Sequence, residues 1–407
     1  MAGKNRGPWT VIKSFLFWLH KWLGLASALV LTVVCLSGTV YVFRNEVVEL
    51  LNPSVFKVEV PDAELTLPLE ALIAQVSEAS GARPRSVTLD PRADRSWVFN
   101  VQREGDGRRG SNLHVNPYTG EVLPSDHLRG NDFFFWVFRL HRWLLLDTSV
   151  GRPIVGWATV IMLLLIVTGL VVWLPKKWGK LKQRLVVHWR GGRRRFTFDL
   201  HSTLGFYSAL LLFVMAFTGL FWSFDWSRQL IYDVLQVEAP QRGGSQAAPQ
   251  RGVGQDRNQG KLALASDSVQ GLEGAVPVSF LTYAELLAKA DSVLPYKGVY
   301  RLTLPSPDAA SFQLSKSHSG FFAYSGSDQL ELSRTDGTVR SLELFRDKPL
   351  NEQLAASIKP LHTGEIFGTF SKILYFIACL IATSLPITGF ILWWWKQVKG
   401  RKKPKHC

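Results

Sequence analysis

Four histidines, His20, His141, His201 and His362, stand where imidazole is costly to place and chemically useful. FLFWLHKWLGLASALVLTVVCLSGTVYVF (15–43) and FTFDLHSTLGFYSALLLFVMAFTGLFWSF (196–224) align without a gap, superimposing His20 on His201, Gly24 on Gly205 and Ser37-Gly38 on Thr218-Gly219. LH at 140–141 with TGLVVW at 168–173 is repeated by LH at 361–362 with TGFILW at 388–393, at the cost of a one-residue gap. The chain thus reads as two copies of one unit, each with a histidine near either end of a helix pair. Ionisable side chains at membrane depth are rare and usually functional. A lone histidine at a span end is ordinarily an interfacial residue reaching for headgroups, but four placed by a repeat point to ligation. Two imidazoles at one depth on facing helices suit the iron of a six-coordinate b-type haem. The expected axial pairs are His20 with His201 and His141 with His362, giving two bis-His haems, one near each membrane face.

The elements that must hold them are membrane helices. Apolar stretches at about 22–43, 154–174, 202–224 and 370–395 are long enough for a hydrocarbon core that needs ~20 helical residues. Each carries a small pair toward its far end: Ser37-Gly38, Thr168-Gly169, Thr218-Gly219 and Thr388-Gly389. In spans 1 and 3 the pair follows the histidine by 18 residues, or ~27 Å of helix, about the thickness of the core. Small residues permit close approach in membranes, so the pairs of spans 1 and 3 are expected beside the outer haem and those of spans 2 and 4 beside the inner one. His141, in FFFWVFRLHRWLLL (133–146), is set off from span 2 by Gly151-Arg152-Pro153 and is expected on an interfacial helix.

The net charge of +15 is no signature of nucleic-acid binding, because residues 44–153 carry 13 Lys and Arg against 15 Asp and Glu, and 225–365 carry 14 against 16. The surplus lies at Lys4, Arg6 and Lys13, in the Lys176–Arg195 loop, and from Lys396 to Lys405. The positive-inside rule places these stretches in the cytoplasm, with both termini inside and both large segments outside. The start reads as a signal anchor rather than a cleaved peptide, since its apolar run is too long and no small-x-small site follows. Cys35 and Cys379 fall inside spans and Cys407 at the inner end, so no disulfide is expected outside, and no C-x-x-C-H offers covalent haem attachment.

The expected organisation is a cytoplasmic N-terminus (1–14), a first membrane helix (15–43), an outer segment (44–132), an interfacial helix and turn (133–153), a second membrane helix (154–174) and a basic loop (175–200). A third membrane helix (201–224), a second outer segment (225–365), a fourth membrane helix (366–395) and a basic tail (396–407) follow. In the first outer segment, helical spacing over 67–80 precedes strand-like runs at 86–89, 96–102 and 111–123, the last turning at Asn-Pro-Tyr-Thr-Gly. The second repeats the order with a helix at 283–294 and strands at 300–304, 311–316 and 329–342, turning at Thr-Asp-Gly. Each reads as a small α+β module. Residues 240–260, rich in Gly, Gln, Pro and Arg, are expected to be a disordered excursion. No Gly-rich fingerprint marks a flavin or nicotinamide site.

LHKWLGL…LSG, LHRWLLLDTSVGR…TGLVVWLP, DLHSTLGFYSALLLFVMAFTG and LHTGEIFG…TGFILWWW resemble the four membrane segments of the PepSY-associated transmembrane family, and HVNPYTGEV resembles the closing hairpin of a PepSY module. The resemblance spans nearly the whole chain outside 240–260, although Ser202 stands where Arg is common and the second module is degenerate. It implies a membrane α-helical protein of four transmembrane helices in two pseudo-repeats, with two periplasmic α+β PepSY-like modules, in a bacterial inner membrane. Family members include ferric-siderophore reductases that carry haem, and their motif histidines map onto His20, His141, His201 and His362. The implied activity is transfer of electrons from a membrane quinol or a separate cytoplasmic reductase to a ferric siderophore or other ferric chelate, releasing Fe(II). The competing readings are an iron or siderophore permease, which the lack of interior carboxylates and broken helices disfavours, and a non-catalytic PepSY binding or signalling module.

Overall fold

The computed structural model describes residues 8–62, 65–107, 109–175, 177–239, 279–306 and 309–401, so the 240–260 excursion, His406 and Cys407 lie outside the described residues. Its first half runs α1 (Pro8–Tyr41), α2 (Arg44–Leu51), α3 (Pro53–Phe56), α4 (Leu69–Ser80), β1 (Pro84–Leu89), β2 (Trp97–Val101), β3 (Ser111–Val115), β4 (Val122–Leu123), α5 (Asn131–Trp143) and α6 (Thr148–Trp173). The second half runs α7 (Leu181–Arg184), α8 (Gly192–Asp199), α9 (Gly205–Ser223), α10 (Asp225–Leu235), α11 (Tyr283–Val293), β5 (Gly298–Thr303), β6 (Ser311–His318), β7 (Ser327–Ser333) and β8 (Val339–Glu343). It closes with α12 (Leu350–Ala356), α13 (Ile358–Thr363) and α14 (Gly368–Arg401).

Four helical stretches are long and apolar enough to cross a membrane: α1, α6, the continuous run Gly192–Ser223 that joins α8 to α9, and α14. They form a ring in which α1 packs against α6 and α14, and α9 packs against the same two, so that α1 and α9 oppose each other on a diagonal. The helices outrun the apolar stretches because nothing in the flanking residues stops them. The break expected at Gly151-Arg152-Pro153 lies instead at Leu144 and Leu145, whose φ values are 55° and 60°. Gly151 is already helical and must be glycine, for a Cβ there would stand 2.0 Å from the Trp143 carbonyl oxygen. Pro153 is tolerated so near the helix start because it strands only one early carbonyl.

All eight strands form a single antiparallel sheet in the order β4-β3-β2-β1-β5-β6-β7-β8. The two α+β segments read from the sequence therefore share one sheet, joined where β1 pairs with β5 through Ser86↔Thr303, Val87↔Leu302, Thr88↔Arg301 and Leu89↔Tyr300. Each half alone would leave its first strand as an exposed row of unpaired peptide groups. Strand alternation sends Val87, Phe99, Leu302, Phe312 and Leu330 to one face, where Leu72, Val76, Leu286 and Ala290 of α4 and α11 complete a common core. The hairpin at Asn-Pro-Tyr-Thr-Gly forms as its residues dictate: Asn116 Oδ1 accepts from the Tyr118 amide at 2.9 Å, and Gly120 takes φ 77°. Phe99 and Phe312 are fully buried, and Phe312→Ala is expected to cost about 3–5 kcal/mol. Hydrogen exchange of the β1 and β5 amides measures this, and unchanged protection of β1 would show that the two halves do not share a core.

Candidate functional site

The structure brings the four sequence-predicted histidines together as two couples. His20 on α1 and His201, at the start of the third span, meet across the bundle diagonal with ring centres 6.3 Å apart. His141 on α5 and His362 on α13 meet at the sheet end of the bundle, also at 6.3 Å. Metal–imidazole bonds of about 2.0–2.1 Å, with each ring centre roughly 1.1 Å behind its ligating nitrogen, put two trans imidazoles about 6.3 Å apart. Both couples have the spacing of axial ligands on one metal atom. Their planes are turned 89° and 57° to one another.

One local arrangement fixes each ring, and it occurs four times. His141 Nδ1 donates to the Val34 carbonyl at 2.9 Å, His362 Nδ1 to Met215 at 2.9 Å and His201 Nδ1 to Leu385 at 3.1 Å, while the Leu165 carbonyl is the acceptor for His20. Three residues beyond each acceptor stands a hydroxyl that also faces Nδ1: Ser37 at 3.3 Å, Thr218 at 3.3 Å, Thr388 at 3.0 Å and Thr168 at 3.0 Å. Those hydroxyls already donate to carbonyls one turn back (Val33, Val214, Ser384 and Leu164), so toward the ring they accept. A carbonyl and an accepting hydroxyl both require the proton on Nδ1. Nε2 is left as a lone pair, and it has no hydrogen-bond partner among the described residues. Metal-ligating histidines characteristically show this second hydrogen bond, which fixes tautomer and ring orientation.

The glycine after each hydroxyl completes the seat. A Cβ on Gly38 would lie 3.2 Å from His141 Cε1, on Gly169 3.1 Å from His20, on Gly219 3.0 Å from His362 and on Gly389 3.3 Å from His201. The small pairs thus bear on the imidazoles, with Ser37-Gly38 and Thr218-Gly219 at the sheet end and the other two at the far end. His201 lies in a π-helical turn, Leu200–Leu204, a widened turn common at functional positions. His141 and His362 ride on short helices outside the spans, each followed by a left-handed residue, Leu144 and Gly364. Among the described residues no three or more His, Cys, Asp or Glu side chains gather to cage a bare ion.

Beneath the polar face of the sheet opens a cavity of ≈ 2220 Å³. Ser86, Asn100, Arg301 and Gln313 line it from the sheet, and His141, His362, Gly38 and Gly219 from the bundle. The cavity emerges only where strand alternation and helix ends meet, and sequence reading did not locate it. Sequence reading also missed Lys372 within the fourth span, which is buried and pairs with Glu46 of α2 at 2.5 Å. Three further histidines have structural contacts. His188 and Arg195 both hold the buried Asp199 carboxylate at 2.9 Å. His114, its pKa lowered by burial, bonds Ser96 at 3.0 Å and packs on Phe56. His318 stacks on Tyr296.

A family model described as the PepSY-associated TM region matches residues 17–396. No curated protein matches the chain.

Proposed function

The chain belongs to the PepSY-associated TM family, and from that premise and the two imidazole couples we propose that it is a di-haem transmembrane reductase. His20 and His201 would hold one b-type haem and His141 and His362 the other. The observation that carries the reading is the 6.3 Å between ring centres in both couples, with every Nδ1 engaged and every Nε2 without a hydrogen-bond partner among the described residues. When bound, each haem supplies one-electron transfer by exchanging ferric and ferrous iron.

The protein's own residues account for the rest. Two imidazoles per iron leave no open coordination position, which favours electron transfer over oxygen chemistry. The carbonyl and hydroxyl on each Nδ1 raise ligand basicity and hold the rings in place. Basic residues in the 175–200 loop and after Lys396 orient the far end to the cytoplasm of a bacterial inner membrane and the sheet to the periplasm. The cavity under the sheet, bordered by His141 and His362, is where the acceptor would be received. That acceptor is a ferric chelate such as a siderophore: one electron converts its Fe(III) to Fe(II), which hard oxygen ligands hold weakly. The electrons come from a membrane quinol or a separate cytoplasmic reductase, with two chelates reduced per quinol oxidised.

The test is the absorption spectrum of purified full-length protein. A Soret band, α and β bands that sharpen on reduction, and their reversal by a ferric chelate are expected. A folded but colourless protein ends the reading.

A further inference from the structure

Three arginines in the sheet-side cavity have no role in the mechanism above. Arg142 follows His141 on α5, Arg152 lies near the start of α6, and Arg109 comes from the β2–β3 connection, and all line the cavity with His141 and His362. No carboxylate lies within ion-pair distance of any of them among the described residues. Arg142 is covered instead by the rings of Phe138 and Trp143, at 5.4 and 5.3 Å. Arg152 Nε is buried and has no hydrogen-bond partner.

The fold pairs its fully buried cations, whereas of these three Arg142 and Arg152 are half-buried and Arg109 is exposed. Lys316 has Asp291 at 2.8 Å, Lys372 has Glu46 at 2.5 Å, and Arg95 is paired with Glu49. Gathering three like charges around a buried, unbonded donor is unfavourable unless an anion completes the group. Guanidinium groups match the planar, two-oxygen face of a carboxylate.

We propose that Arg109, Arg142 and Arg152 form a carboxylate-binding site beside the His141–His362 couple. The proposal rests on the reductase reading for its biological setting. The carboxylate has two possible sources of the same chemistry: a propionate of a haem seated on that couple, or an acidic group of the incoming ferric chelate.

The experiment compares full-length wild type with Arg142→Gln, Arg152→Gln and, as a control, Arg340→Gln on an exposed stretch of β8 outside the cavity. Two quantities are read: the midpoint potentials of the haems, and the affinity for gallium(III) citrate, a redox-inert oxygen chelate, by calorimetry. If the site holds a propionate, either cavity variant lowers the midpoint of the sheet-side haem by about 59 mV, a tenfold change in its one-electron equilibrium, and leaves gallium citrate binding unchanged. If it holds the chelate, affinity for gallium citrate falls about tenfold or more and the midpoints stay. Intact bands from the His20–His201 haem, with unchanged circular dichroism, establish that a variant is folded. The proposal is overturned if folded variants keep both quantities within twofold of wild type, or if Arg340→Gln changes them equally. Absence of haem from wild type would defeat the reductase reading alone, since gallium citrate binding still tests the site.

Discussion

Purified His362→Ala protein is expected to carry about one haem per chain where wild type carries about two, with the remaining bands belonging to the His20–His201 couple. Alanine carries no ring nitrogen, so of a couple whose ring centres lie 6.3 Å apart in wild type only His141 would remain to hold an iron. The variant should still accept electrons from the cytoplasmic side and fail to pass them on. Its reoxidation by ferric chelate should slow by about two orders of magnitude, the scale on which a 1 Å loss of reacting geometry acts. His201→Ala should give the complementary result. Reduced chemically, its sheet-side haem should be reoxidised by chelate at the wild-type rate, but no quinol or reductase should refill it. Haem content by pyridine haemochrome assay and stopped-flow absorbance read both variants. If each lost the same bands, or if His362→Ala turned over normally, the assignment of two separate couples would be wrong.

Gly219→Val is expected to be nearly as severe as loss of the histidine. A Cβ at this position already meets His362 Cε1 at 3.0 Å, closer than ordinary van der Waals contact, and valine adds two further methyl groups. The ring cannot retreat freely, because its Nδ1 is held by the Met215 carbonyl at 2.9 Å and faces the Thr218 hydroxyl at 3.3 Å. Displacing a ring from its supporting hydrogen bonds typically costs ~10–100-fold in metal affinity. Sheet-side haem should therefore be depleted from the purified variant while the other haem is retained. Gly24→Ala supplies the contrast: it lies in α1, in the other copy of the repeat, and its Cβ would meet only a Leu165 side chain at 3.7 Å. That change should leave both haems in place and favour the helix by about 1 kcal/mol. Equal haem content in Gly219→Val and wild type would show that the glycine is not the seat of the ring.

Much of this molecule is legible in its residues one stretch at a time. Hydropathy marks the four spans because a helix must satisfy its own peptide groups in lipid, whatever surrounds it. Alternation and turn chemistry locate the helix at 67–80 and the strands at 86–89 and 311–316 within a few residues of α4, β1 and β6. The repeat singles out His20, His141, His201 and His362 before any coordinates exist, and it also marks the small pairs that seat them. The short helices α2, α10 and α12 become apparent only in the fold.

The tertiary structure decided everything that depends on distance through space. Sequence spacing puts Thr168-Gly169 near the far end of its span, but only packing shows that the pair grips His20 on a neighbouring helix, through a carbonyl three residues earlier. The 6.3 Å between His20 and His201 arises from a diagonal across four helices and from a π turn at Leu200–Leu204, neither of which a linear pattern encodes. The union of two strand sets into one sheet is a matter of which edges meet. The gathering of Arg109, Arg142 and Arg152 likewise depends on three segments converging on one cavity. Local residue types set what each segment is able to form, while non-local packing set which groups face one another, and the chemistry depends on the second.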